Sequence, residues 1–458
     1  MANSAPGIVE AMLKEIGAAS VDELFAQIPA DHYRTTPLDL PPQLASEMEL
    51  RRDLHDKLSR NVSCETAVSF LGAGAWRHHV PAVVDEIVGR TEFLTNVWGS
   101  YPSDHGRNQA WFEYQSQLGE LLEMDVVQLP VYSWGCAAGH AIRMARRLNG
   151  RSKVLVPALL DPERLAVIRT YCEPEEMATH IEVIAVGHDE ATGGLSLADL
   201  RAKLGPDVAA VYFEVPAFLG TIEPNAAAIA TAARAAGAET IVGADPISLG
   251  LLAPPAAYGA DIAVGPVQSM GVHMNAGGGA GGFIASRDEE RYVREYNGFL
   301  VSIAETRRPG EHGFGLAVAH QNSYGMREHG KDWTGNSTYL WAIANAVYMS
   351  LLGPKGFVEV GELILARTGE AIDRLSRIPG VSVRWRDGVF REFVVDFNGT
   401  GRSVAAINAA LLARGIFGGI DLSRIIPDFG QAALLAVTEL TTPADIERLG
   451  AAIEEAVR

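Results

Sequence analysis

The hydrophobic pattern changes period along the chain and divides it into three stretches. Near the start, Ile8, Met12, Leu13 and Ile16 recur at helical spacing. Asp22 to Ile28 reads as a second short helix, and Glu47 to Leu58 as an amphipathic third. Between them, Pro37-Leu38-Asp39-Leu40-Pro41-Pro42 is an extended connector, because proline fixes its own backbone and biases the preceding residue away from helix. Residues 1–65 form an arm with too little apolar surface to fold alone, which is expected to lie over a partner or the main body.

Over residues 66–335 short apolar runs alternate with helical segments. Val154 to Pro157, Ile181 to Val186, Ala209 to Val215, Thr240 to Asp245 and Asp261 to Gly265 read as strands. Pro162 to Tyr171 and Asn225 to Ala238 read as helices. Apolar strands separated by helices predict a mostly parallel sheet covered on both faces, so this is the large α/β domain. Over residues 336–458, Tyr339 to Leu352 is helical, Val381 to Trp385 and Phe393 to Phe397 are strand-like, and a helix closes the chain from Pro443. That is the pattern of a smaller α+β domain.

Composition narrows the classes. Of 458 residues, 48% are hydrophobic, enough to bury a sizeable core and to exclude a disordered scaffold. The net charge of −18 argues against a basic face for nucleic acid or anionic lipid. Cys64, Cys136 and Cys172 form neither a disulfide framework nor a metal-site spacing. No signal peptide is visible at the start and no run of about 18 apolar residues exists, so a soluble cytoplasmic protein is expected. The histidines show no ligand-like spacing with acidic residues, so no metal site is assigned.

Asp245 is the strongest chemical candidate. It stands at the carboxyl end of the strand Ile241-Val242-Gly243-Ala244, where open α/β sheets bind ligands. In pyridoxal-phosphate enzymes of the aspartate-aminotransferase fold, an aspartate there pairs with the ring nitrogen and keeps it protonated. The alternative is a turn-capping aspartate before Pro246. That fold also demands a Schiff-base lysine after the next strand, but the loop reads Pro266-Val267-Gln268-Ser269-Met270-Gly271. The chain has six lysines (Lys14, Lys57, Lys153, Lys203, Lys331 and Lys355), and none lies between Lys203 and Lys331. A self-sufficient pyridoxal-phosphate enzyme is therefore not expected.

Two further motifs carry less. Gly277 to Gly282 is a formal dinucleotide fingerprint, but it precedes the strand-like Phe283 to Ser286 instead of opening a helix. Ser133-Trp134-Gly135-Cys136 looks like the start of a helix, which could hold a phosphate or lower a thiol pKa; a small buried cysteine is the alternative.

Longer segments carry a resemblance. They are Ser20 to Pro29, Pro37 to Pro41, Ser46 to Leu50, Phe70-Leu-Gly-Ala-Gly-Ala75, Pro81 to Val84, Asp245 to Leu252, Gly415 to Leu422 and Leu435 to Glu439. In these the chain resembles subunit 1 (the alpha type) of glycine dehydrogenase (decarboxylating), the P protein of the glycine cleavage system. The resemblance implies an α/β, aspartate-aminotransferase-like (fold type I) architecture and a glycine-catabolising oxidoreductase. It implies an α2β2 assembly in which subunit 2 bears the lysine and the covalent pyridoxal 5'-phosphate. Carbon dioxide is then released from glycine, and the aminomethyl group passes to the lipoyl arm of the H protein. The candidate cofactor-contacting residues are Ser133, Gly135, Cys136, Asp245 and Gln268, with no catalytic residue in this chain.

The chain departs from the family pattern in three loops: Asn96 to Gly106, Ser133 to Ala138 and Arg327 to Thr338. Specificity usually resides in such loops. A subunit of a relative acting on another amino acid or acceptor, or a non-catalytic structural partner of subunit 2, are the other readings. If the altered loops line one pocket, Trp98, Tyr101, His105, Trp134, Lys331, Asp332 and Trp333 converge near Asp245.

Overall fold

The structure is a computed structural model and describes residues 5, 7–34, 36–94, 105–275, 280–318, 320, 326–331 and 338–458. The chain separates into two compact units, Met1–Ser63 and Cys64–Arg458. In the first unit the helix Ile8–Ile16 stops at Gly17, whose left-handed backbone (φ 72°) turns its amide back onto the carbonyls of Leu13 and Lys14. A 3-10 turn follows over Asp22–Phe25. The helix Glu47–Leu58 begins with a capping box in which Ser46 and Glu49 each satisfy the other's backbone amide. None of these elements contains a buried residue.

The second unit is built on a seven-stranded sheet. After β1 (Val68–Ser69), its strands are β2 (Val126–Val127), β3 (Lys153–Pro157), β4 (Glu182–Val186), β5 (Val208–Val215), β6 (Glu239–Ala244), β7 (Ile262–Pro266) and β8 (Gly282–Ser286). They lie in the order β2-β8-β7-β6-β5-β3-β4. β3 to β7 pair in parallel, while β8 runs antiparallel to β7 and β2. Every residue of β5, β6 and β7 is buried, as the unbroken apolar runs require when helices cover both faces. Alternation along β5 feeds two cores. Val211, Phe213 and Val215 pack with Trp111 and Leu118, whereas Ala210 and Tyr212 pack with Ile142 on the opposite face.

A hairpin follows, β9 (Leu300–Glu305) with β10 (His312–Ala317). The helical segment Tyr339–Leu375 is two helices across a break at Gly353 (φ 59°), with Pro354 opening the second. The remaining strands are β11 (Ser382–Arg384), β12 (Glu392–Asp396), β13 (Ile416–Phe417), β14 (Ile420–Asp421) and β15 (Ala432–Ala436). β11, β12, β15 and β14 form an antiparallel four-stranded sheet in that order, and β13 pairs in parallel with β1. The closing helix spans Pro443–Val457. Gly282 opens a strand, as the glycine-run reading expected; residues 276–279 lie outside those described. Among the described residues no helix is long and apolar enough to cross a membrane.

Candidate functional site

The carboxyl end of β6 delivers Asp245 into a site where both its oxygens are engaged. Oδ1 accepts the Ile247 amide at 3.1 Å and caps the 3-10 turn Pro246–Gly250. Oδ2 lies 2.8 Å from Nη2 of Arg391, an ion pair with both side chains at most 3% exposed. Arg391 immediately precedes β12 and sits at φ 68°. A left-handed backbone costs a long side chain about 1 kcal/mol or more, so the surroundings must hold it there.

A line of contacts continues from Arg391. Its Nη1 donates to Nε2 of His78 at 2.8 Å, and Nδ1 of His78 meets Oε2 of Glu439 at 2.7 Å. A guanidinium can only donate, so Nε2 must accept, and the ring proton sits on Nδ1 facing Glu439. Burial pushes the Glu439 carboxyl up, but the His78 ring N–H and the His79 amide, both donating to it, outweigh that and hold it below the usual carboxylate range. The Arg391 guanidinium also lies over the Trp76 ring, 4.1 Å from its centroid.

A second buried pair borders the first. Arg164, on the helix Pro162–Cys172, places Nη1 at 3.0 and 3.1 Å from the two Glu214 oxygens. Its guanidinium stacks 3.7 Å over Trp134, and Tyr212 donates its hydroxyl to Glu214 at 2.5 Å. The segment Phe70–Trp76 crosses close above. A Cβ at Gly74 (φ 87°) would meet Arg164 Nη2 at 2.6 Å, which explains the glycine there. The cavity left between Trp76, Trp134, Arg164, Asp245, Phe390 and Arg391 is about 10 Å³. Small-molecule pockets run roughly 300–1,000 Å³.

The other expected contact residues serve the chain's own structure. Ser133 caps the helix Trp134–Asn149 by accepting the Cys136 amide at 3.2 Å. Gly135 packs on Val167, and Cys136 is half-buried. Gln268 accepts the Trp76 amide at 3.4 Å and donates to the Val272 carbonyl at 3.0 Å. Pyridoxal phosphate does not fit among these residues as they stand: the ring aspartate is paired, the space is filled, and Gln268 to Gly271 holds no lysine. Of the altered loops, Trp134 does reach the Asp245 site. Lys331 instead binds Glu295 Oε1 at 3.0 Å and the Arg294 carbonyl. Trp98, Tyr101, Asp332, Trp333 and the His105 side chain lie outside the described residues.

Glu392 makes the site's stability depend on pH. Burial pushes its carboxyl up from 4.5 to about 7, although the Ala73 amide, 2.5 Å from Oε1, pulls the other way. In the unfolded chain the carboxyl ionises near 4.5, so between there and about 7 the native state holds the extra proton and stability falls as pH rises. Above pH 7 the full penalty applies, on the order of 3 kcal/mol. Glu392→Gln is therefore expected to be more stable than the unsubstituted chain at pH 8, with the advantage shrinking toward pH 4.5. Urea denaturation across that range measures it, and parallel pH profiles would contradict the assignment.

Residues 6–453 match the glycine cleavage system P-protein family. The chain is 37% identical over 453 residues to a protein of Saccharolobus islandicus (strain L.S.2.15 / Lassen #1) named "Probable glycine dehydrogenase (decarboxylating) subunit 1", covering 98% of this chain and 96% of that one. A protein of the same name from Staphylothermus marinus is 35% identical over 455 residues, with the same coverage of each chain. A crystal structure of inhibitor-bound glycine decarboxylase (P-protein) of the glycine cleavage system superposes with a TM-score of 0.86 at 32% identity, covering 99% of this chain and 98% of that one. A sphingosine-1-phosphate lyase of Burkholderia pseudomallei K96243 shares the fold at a TM-score of 0.64 and 15% identity, covering 92% of this chain and 93% of that one. The architecture is thus the α/β fold type I of pyridoxal-phosphate enzymes, and the chain belongs to the glycine cleavage system P-protein family.

Proposed function

We propose that this chain is the lysine-less subunit of a cytoplasmic pyridoxal-phosphate-dependent glycine decarboxylase. It works with a lysine-bearing subunit 2, which carries the cofactor. The assembly releases carbon dioxide from glycine and passes the aminomethyl group to the lipoyl H protein. The observation that carries this reading is the absence of any lysine from residue 204 to 330 in a chain that matches subunit 1 proteins over 98% of its length.

The chain's own residues then contribute no proton transfer or covalent step. The paired charges Arg391–Asp245 and Arg164–Glu214 fill the space beside Asp245 and leave no room there for a small-molecule ligand. This favours a supporting role within the decarboxylase, with the chemistry at the partner's cofactor. The division into arm (1–65), large domain (66–335) and small domain (336–458) belongs to the same proposal.

Co-expression with a lysine-bearing subunit 2 of this family tests the reading. Carbon dioxide release from glycine is expected only when both chains and lipoylated H protein are present. A panel of other amino acids run in parallel should give little release. Release from another amino acid in preference to glycine would transfer the assignment to a relative of different specificity.

A further inference from the structure

The contacts around Arg391 do more than leave the site empty of cofactor. We propose that Arg391 is a built-in substitute for the ring that this fold seats at Asp245, and that the line Glu439–His78–Arg391–Asp245 latches the four-stranded sheet onto the seven-stranded one. This goes beyond the subunit assignment and does not depend on it.

The substitution is electrostatic and geometric. A protonated pyridine ring presents a planar cation to the aspartate at the end of this strand. The Arg391 guanidinium is also a planar cation, it lies 2.8 Å from Asp245 Oδ2, and it is stacked on the Trp76 indole. Phe390 is the second ring beside it, 5.7 Å away. Glu392 and Glu439 are the other carboxylates close to this cation, and Glu439 reaches it through His78.

The latch follows from where each member sits. Asp245 ends β6 of the seven-stranded sheet. Arg391 leads into β12, and Glu439 follows β15, both of the four-stranded sheet. His78 belongs to the segment after β1 and bridges Arg391 to Glu439. Arg391 holds a left-handed backbone (φ 68°) where its side chain spans to Asp245, a conformation that its packed and paired surroundings must maintain. The cavity of about 10 Å³ leaves no room beside Asp245 for a pyridine ring.

The test uses the full-length chain and pyridoxine 5'-phosphate, which has the ring and phosphate but no aldehyde to condense with surface lysines. Thermal unfolding is followed with and without millimolar ligand. The unsubstituted chain should show no change in midpoint. Arg391→Gly, which suits the left-handed backbone, and Arg391→Gln should bind the ligand at least about tenfold more tightly than the unsubstituted chain and gain a ligand-dependent rise in midpoint. Adding Asp245→Ala to either variant should abolish that rise. The proposal is overturned if a folded Arg391 variant ignores the ligand. It is equally overturned if the unsubstituted chain is stabilised through Asp245, a result that can be read even if both Arg391 variants fail to fold.

Discussion

Arg164→Met is expected to cost about 3–5 kcal/mol of folding stability, because it strands the Glu214 carboxylate in the interior without its counter-charge. Both partners of this pair are almost completely buried, and Arg164 makes two contacts to the carboxylate while stacking on Trp134. Replacing both partners, as Arg164→Met with Glu214→Leu, should recover most of the loss, since well-packed apolar residues can substitute for a buried pair at little cost. Urea unfolding of the two single variants and the double variant gives the coupling directly. Additive losses would mean that the two side chains are held by their surroundings and not by each other.

Removal of residues 1–63 should leave the sheet-bearing unit folded and abolish stable assembly with subunit 2. In the first unit Ile8, Met12, Ile16, Leu24, Phe25, Leu40, Met48 and Leu54 are all exposed, and no helix there buries a residue. Exposed apolar side chains in such number are characteristic of an interaction surface, and each is worth roughly 1.5–3 kcal/mol when fully buried. An obligate interface buries more than about 2,000 Å². The loss on truncation should therefore weaken assembly about a thousandfold or more, equivalent to ~4 kcal/mol. Co-purification and sedimentation of the truncated chain with subunit 2 measure it. A truncated chain that assembles with unchanged affinity would remove the arm from the interface.

The legible parts of the fold were those with a strong period. The apolar run Ala209 to Val215 becomes the fully buried β5, and Glu47 to Leu58 becomes a helix with those bounds. The hairpin β9–β10 gave little signal, because most of its residues are exposed or only half-buried and its alternate positions are filled largely by glycine and alanine. The helix His105–Leu122 was missed although Trp111, Tyr114, Leu118 and Leu122 mark its buried face at helical spacing. Tyr339 to Leu352 becomes the first of two helices, which breaks at Gly353, whereas the second, opened by Pro354, was not legible, since proline interrupts a helix as readily as it suits a first turn.

At the site, Asp245 was legible from its place after an apolar strand. Arg391, His78 and Glu439 were not, since their partners lie far away in sequence and no local spacing links them. The only local hint was an arginine inside the apolar run Val389-Phe390-Arg391-Glu392-Phe393, a position where a charge needs a buried partner. That Pro266 to Gly271 holds no lysine was plain from the sequence, whereas the filling of the space beside Asp245 required side chains in place.

Reductive trapping locates the lysine that binds pyridoxal phosphate. The complex of this chain with subunit 2 is loaded with pyridoxal phosphate, reduced with borohydride and digested, and the labelled lysine is identified by mass spectrometry. A stoichiometric label is expected on subunit 2 and none on Lys14, Lys57, Lys153, Lys203, Lys331 or Lys355 of this chain. A stoichiometric label on any of those six lysines would contradict the assignment of the lysine to subunit 2.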